Sequence, residues 1–96
     1  MNKLNDKILS MSLRALTETE LKNRIIKKYK DIEWNQIVEI LREISNLKRK
    51  SEDYAMKYRR NEIKKKDIIK ELQNEFPNFK KSSFGNVFAN SLFKTR

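Results

Sequence analysis

The sequence predicts an all-α protein: a small helical bundle with a long central helix and a C-terminal pair of helices arranged like a helix-turn-helix. Among 96 residues there are one glycine and one proline. No segment sustains the alternation of β-branched and polar residues typical of hairpins. A chain of this length forms one domain, in which we assign residues 1–60 to a bundle and dimerisation part and residues 61–96 to a basic C-terminal helical pair.

The first helix is predicted from apolar residues at helical spacing, which indicate a short core helix or a dimer arm. These residues are Leu4, Ile8, Met11 and Ala15.

A second helix is predicted to begin after Thr17, because Thr17 and Glu20 have the spacing of a capping box. Leu16 and Leu21 stand where a hydrophobic staple would close over it. Asp31 is expected to cap the helix that follows. The apolar face of the second helix is predicted to contain Leu21, Ile25, Ile26 and Tyr29.

The central helix is predicted from about Ile32 to Arg60. Its apolar positions alternate steps of three and four residues, which is typical of a coiled-coil seam, with Ser51 at one seam position. Because a small chain has a limited core, we expect a homodimer through this seam. The expected dimer interface comprises Ile37, Ile40, Ile44, Leu47, Tyr54 and Tyr58.

Two further expectations concern this helix. Trp34 and Leu41 widen the apolar face of its first half, so Trp34 is predicted to be buried in the bundle, whereas the second half projects toward solvent or a partner. In an alternative interpretation the helix breaks near Ser45 and Asn46, since this stretch resembles the first helix and turn of a helix-turn-helix.

The C-terminal pair follows a run of lysines. Asp67 marks the start of the first helix of the pair, and Pro77 must end it. Ser82 or Ser83 is expected to cap the last helix. The apolar side of that helix is predicted to contain Phe84, Val87, Phe88 and Leu92.

The charge distribution favours nucleic acid as the partner, with duplex DNA the expected form. The formal net charge is +10, and residues 42–70 carry +6 of it. Phosphate is the commonest counter-partner for such a small basic domain. The predicted nucleic-acid-binding residues are Lys48, Arg49, Lys50, Arg59, Arg60, Lys64, Lys65, Lys66, Lys80, Lys81, Ser83, Asn86, Asn90 and Lys94.

The last helix carries the sharpest predicted site, a polar stripe formed by Ser83, Asn86, Asn90 and Lys94. Lys80 and Lys81 precede free helical N–H groups, which together form an anion site. Asn86 and Asn90 are expected to face outward, where an asparagine amide can pair with adenine. Gly85 is expected to mark close approach of a phosphate or of another helix.

Catalysis is not expected, because the chain has neither histidine nor cysteine and so lacks the usual general bases and nucleophiles. The same absence disfavours a metal site, and no glycine-rich loop is present to hold a nucleotide cofactor. Residues 1–16 lack the unbroken apolar stretch of a signal peptide, so a cytoplasmic protein without membrane contact is expected.

The expected function is that of a small DNA-binding regulator or accessory factor in replication, transfer or packaging. A protein-interaction adaptor or inhibitor is the alternative, in which the heptad seam and the phenylalanine-rich last helix bind an acidic protein. RNA binding is a third possibility.

Overall fold

The computed structural model describes residues 3–14 and 17–94. Within these ranges the chain forms five helices and no strand, so the predicted all-α class is confirmed. The helices are α1 (Lys3–Arg14), α2 (Glu18–Lys28), α3 (Trp34–Arg59), α4 (Lys65–Glu75) and α5 (Lys81–Lys94).

α1 is a core helix rather than an arm. It packs against α2, α3 and α5, and Ile8 and Leu9 on its inner side are almost fully buried. Leu4 and Met11 lie at the margin of the core. The predicted positions Ala15 and Leu16 lie outside the described residues.

α2 begins where the capping box predicted. Thr17 has an extended backbone, and its hydroxyl accepts a hydrogen bond from the Glu20 N–H at 3.1 Å. Leu21 and Ile25 are buried. The prediction for Ile26 is wrong: its side chain is 51% exposed, because α2 packs against α1 rather than along α3.

α3 is one continuous helix from Trp34 to Arg59, so the alternative break near Ser45 and Asn46 is wrong. Its N-cap is Glu33, which makes no side-chain cap hydrogen bond, so Asp31 does not cap it. Trp34 is 44% exposed, which contradicts its predicted burial. α2 does not return over this first turn of α3, so the indole stays at the surface.

A Schellman motif ends α3. Asn61 has a φ of 59°, a left-handed conformation that asparagine tolerates better than most residues. The Glu62 N–H donates to the Lys57 carbonyl at 2.9 Å, and the Asn61 N–H donates to the Tyr58 carbonyl at 3.0 Å. These two bonds satisfy carbonyls at the helix end and fix the direction in which the chain leaves it.

Most of the predicted dimer seam is covered by the chain's own helices, whereas Tyr58 at its end is 39% exposed. Ile37, Ile40, Ile44, Leu47 and Tyr54 are all buried within the single chain, since α1, α4 and α5 pack on α3. Ser51 and Ala55 are fully buried in the second half of α3. That half therefore does not project toward solvent, and most of the seam is unavailable to a second copy in this fold. The homodimer itself stays a prediction.

α5 packs against α1, α3 and α4. Phe84, Val87 and Phe88 are buried as predicted, and the ring of Phe88 meets Tyr58 edge-on at a centroid distance of 5.4 Å. Between α5 and α3, the Ser91 and Ser51 hydroxyls form a buried hydrogen bond of 2.9 Å.

The α4–α5 connection follows from proline chemistry. α4 ends at Glu75, two residues before Pro77, as a proline requires. The buried Phe79 ring then anchors the turn into the core, with its centroid 6.4 Å from that of Phe84.

Candidate nucleic-acid interface

Residues of α4 between Lys65 and Gln73, together with Lys81 at the start of α5, form a basic concave surface, which we name the α4 cleft. The cleft has a volume of about 770 Å³. It brings together four lysines from two helices. Its lining residues are Lys65, Lys66, Asp67, Ile69, Lys70, Gln73 and Lys81.

The α4 cleft continues into a second concavity, the junction cleft, formed by the loop between α3 and α4. The two share Lys65, Lys66 and Asp67, and the junction cleft has a volume of about 1080 Å³. The Schellman motif at Asn61 directs this loop, so the end of α3 determines where the lysines of α4 stand. The remaining lining residues are Tyr58, Arg59, Asn61, Glu62, Ile63 and Lys64.

Most of the positive charge in these clefts is uncompensated. Lys64, Lys65, Lys66, Lys70 and Lys81 are exposed, and none forms an ion pair with a described residue. Glu62 pairs instead with Arg60 at 3.3 Å. Asp67 is the single unpaired carboxylate in the lining, placed in the first turn of α4, where it complements the helix dipole.

The N-terminus of α4 is open as well as basic. Lys64 holds the N-cap position with an extended backbone and makes no side-chain cap hydrogen bond. The first N–H groups of a helix need acceptors, and apart from Asp67 the charged side chains in this first turn are lysines. An anion of the size of a phosphate is the ligand that such a helix start favours.

The cations predicted on α3 fall into different environments. Lys50 pairs with Glu75 at 3.7 Å, and Arg59 donates to the Leu92 carbonyl at the end of α5. Both therefore connect helices of the bundle. Arg49 is exposed on another face, in the groove that Trp34 also lines.

Lys48 is a poor phosphate ligand in this fold. It is partly buried and donates to the Ser12 carbonyl at 3.4 Å. Burial, with the nearby Lys94 ammonium as a second cause and Glu52 opposing, lowers the pKa of Lys48 from its ordinary value. Lys48 and Lys94 line a separate cavity between α2 and α3, away from the α4 cleft.

The predicted anion site at the start of α5 is already filled by the chain's own carboxylate. Asp6 of α1 accepts a hydrogen bond from the Lys80 N–H at 3.0 Å and another from the Ser83 hydroxyl at 2.6 Å. A phosphate at this position would have to displace a carboxylate. That Lys80, Lys81 and this helix start hold one phosphate stays a prediction, and Asp6 is the group with which the phosphate would compete.

Lys80 and Lys81 also separate. Lys81 lines the α4 cleft, whereas Lys80 lines a different cavity of about 670 Å³ beside Asp6 and Lys7. The two neighbouring lysines thus lie in different cavities, and the α4 cleft receives one lysine from this helix.

The predicted polar stripe on α5 is only partly exposed. Ser83 is 6% exposed because its hydroxyl faces Asp6, so it neither caps the helix nor points outward; α5 begins at Lys81, before both candidate serines. Asn86 is exposed and Asn90 is partly buried. A Cβ placed on Gly85 would meet no heavy atom within 4 Å, so no neighbouring helix requires glycine there.

Sequence reasoning missed Asp6, which no local pattern distinguishes from any other acidic residue in the first turn of a helix. It also did not use Asn61, although asparagine just after a long helix is a recognised C-terminal signal. Lys70 was missed because its role in the α4 cleft depends on Lys81, which joins it only through the α4–α5 contact.

Among the described residues there is no group of three potential ligands that would hold a metal ion. No helix in this part of the chain combines the length and apolar character needed to cross a membrane. The chain matches no protein-family model, and it has no significant match to a curated protein or to a solved structure.

Proposed function

We propose that this protein binds duplex DNA through backbone phosphates held in the α4 cleft and the adjoining junction cleft, as a small regulator or accessory factor without catalytic activity. The observation that carries the proposal is the convergence of Lys65, Lys66, Lys70 and Lys81 on one concave surface. Lysine ammonium groups bind phosphate as point charges and do not require a fixed side-chain geometry.

The open N-terminus of α4 supports the same conclusion. Its N–H groups and Lys64, Lys65 and Lys66 act on the same anion, because the helix dipole and the lysine charges have the same sign. Contacts of this kind position a protein on the duplex but carry no sequence information. The proposed binding is therefore largely independent of sequence.

Base-specific contacts from α5 have weaker support than backbone contacts. In a helix-turn-helix the N-terminal residues of the second helix contact base edges, but here that end carries the Asp6 carboxylate. α4 and α5 do pack against each other across a short turn, an arrangement that any helical hairpin shares. Of the two asparagines predicted to contact bases, Asn86 is exposed and Asn90 is partly buried.

The adaptor alternative loses the surfaces on which it depended. Most of the heptad seam is covered by the chain itself, and the rings of Phe79, Phe84 and Phe88 are buried. Phe93, at the far end of α5, is 67% exposed, and one ring is a small remainder of the expected phenylalanine face.

A salt titration tests the proposal. Duplex DNA, single-stranded DNA and RNA of random sequence are titrated against the protein by fluorescence anisotropy at several salt concentrations. Replacing Lys64, Lys65 and Lys66 by alanine should weaken duplex binding by up to about 100-fold near physiological salt and lower the salt slope by roughly 0.9 for each lost contact.

The matched control removes the same charge elsewhere. Lys27, Lys28 and Lys30 are exposed at the end of α2 and beyond it, so their triple alanine variant should keep the salt slope of the parent. An unchanged slope in the α4 variant, or an equal loss in both variants, would refute the α4 cleft as the contact surface. Tighter binding of single-stranded DNA or RNA than of duplex would refute the choice of ligand.

A further inference from the structure

A second surface, on the opposite side of α3, combines exposed apolar side chains with unpaired arginines. Trp34, Val38 and Leu41 line a groove of about 450 Å³ between α2 and α3, which also contains Lys22, Arg42 and Arg49. Trp34 is 44% exposed. An indole left at the surface together with aliphatic neighbours is a feature of protein interaction sites.

The apolar surface extends onto α2. Ile26 is 51% exposed and follows Lys22 by one helical turn, so both lie on the same face of α2. Because α2 packs on α1 and not along α3, the groove between α2 and α3 stays open. The groove is thus lined by residues of both α2 and α3, and its apolar side chains come from α3.

The charged side chains of the groove leave an excess of positive charge. Glu18 is engaged by Lys22 at 3.5 Å, and neither Arg42 nor Arg49 forms an ion pair with a described residue. The two arginines are seven residues apart on α3, which places them on one face about 10 Å apart. An occupant with two carboxylates at the same separation would pair with both.

We propose that this groove binds an acidic amphipathic helix of a partner protein. The partner's apolar face packs on Trp34, Val38 and Leu41, and carboxylates spaced seven residues apart along its edge pair with Arg42 and Arg49. Helix-in-groove recognition uses this combination of an apolar stripe and flanking charges, and arginine binds carboxylates in a bidentate geometry. The proposal is independent of DNA binding, since the α4 cleft shares no residue with this groove.

A second copy of the chain fits the groove less well. In a symmetric dimer the same patch meets itself, so the arginines of one copy would approach those of the other, and like charges brought together at an interface are costly. Nucleic acid also fits less well. Beside Trp34 the apolar lining consists of Val38 and Leu41, which offer no ring on which a base could stack.

The single tryptophan of the chain makes the test direct. A synthetic amphipathic helical peptide is titrated while the emission of Trp34 is recorded; it has leucines along one face and glutamates seven residues apart at the edge of that face. Its matched control has glutamine in place of each glutamate. The acidic peptide should shift the emission to shorter wavelength and bind about 10-fold more tightly than the control.

Charge exchange tests the pairing. Arg42→Ala with Arg49→Ala should remove the preference for the acidic peptide, and Arg42→Glu with Arg49→Glu should transfer it to a peptide carrying lysine at the same positions. Lys27→Ala with Lys28→Ala, on exposed positions outside the groove, should change nothing. Circular dichroism verifies that each variant remains helical.

Three results would overturn the proposal. Equal binding of both peptides would mean that the arginines do not select charge. Light scattering that shows a dimer abolished by Trp34→Ala would make a second copy the occupant. Quenching of Trp34 by DNA that persists in the α4 triple variant would make this groove a nucleic-acid site.

Discussion

The N-termini of α4 and α5 look alike in sequence and differ in the structure. Each follows a pair or run of lysines, and each offers helical N–H groups to an anion. At α5 the carboxylate of Asp6 occupies the position, with the Lys80 N–H and the Ser83 hydroxyl as its donors. At α4 no described side chain caps the helix start, and the lysines remain exposed.

The comparison shows that lysines at a helix start indicate a possible anion site, but not whether its hydrogen-bond donors are still available to a ligand. The group that closes the α5 end comes from α1, at the other extreme of the chain, and only the tertiary structure brings it there. An anion site therefore has to be evaluated by what already satisfies its donors. By that measure the α4 end is the better candidate for phosphate.

The largest effect is expected from removing the carboxylate that closes the α5 end. Asp6→Ala leaves the Lys80 N–H and the buried Ser83 hydroxyl without their acceptor, which should lower the free energy of unfolding by about 1–3 kcal/mol. Urea denaturation measures the loss. Asp6→Asn keeps an acceptor oxygen and should cost less; no loss of stability in Asp6→Ala would mean that the hydrogen bonds at this helix end contribute nothing.

A smaller effect distinguishes the two neighbouring lysines at the start of α5. Lys81→Ala should weaken duplex DNA binding by about 5-fold near physiological salt, the contribution of one phosphate contact, because Lys81 lines the α4 cleft. Lys80→Ala, with the same change in net charge, should leave the affinity nearly unchanged. Equal losses measured by anisotropy would place the DNA across the α5 end and contradict the assignment.

The smallest effect is a gain in stability at Gly85. Since a Cβ there meets no heavy atom within 4 Å, Gly85→Ala should stabilise α5 by about 0.5–1 kcal/mol through its higher helix propensity. Thermal unfolding measures the gain. If the same variant lost DNA affinity, a phosphate would have to approach the Gly85 backbone, and the α5 side would return as a contact surface.

Local chemistry in the sequence predicted the helices well. Thr17 with Glu20 located the start of α2, and Pro77 located the end of α4, because each acts on residues within one turn of itself. The apolar stripe of α3 was also recognised correctly as a buried face. The element that covers this face was not predicted, because a stripe of leucine and isoleucine packs equally well against a second copy or against α5 of the same chain.

The candidate site was predictable only in part, for the same reason. The lysines of α4 form a contiguous run and were identified directly. Lys70 and Lys81 join them through the contact between α4 and α5, whereas Ser83 and Trp34 were placed wrongly because their exposure depends on where α1 and α2 pack. Sequence spacing determines the face of a helix on which a residue lies, but not what covers that face.

The buried pair of Ser51 and Ser91 has a consequence for how α5 sits on α3. A hydroxyl enclosed by apolar side chains is costly unless it is hydrogen-bonded, and these two satisfy each other at 2.9 Å. Sliding α5 by one turn would separate the two hydroxyls and take from Ser51 the partner that α5 supplies, whereas Ser91 would keep its bond to the Val87 carbonyl. The two serines thus fix the register of α5 on α3. Hydrophobic contacts hold the two helices together, and this one polar contact selects their alignment.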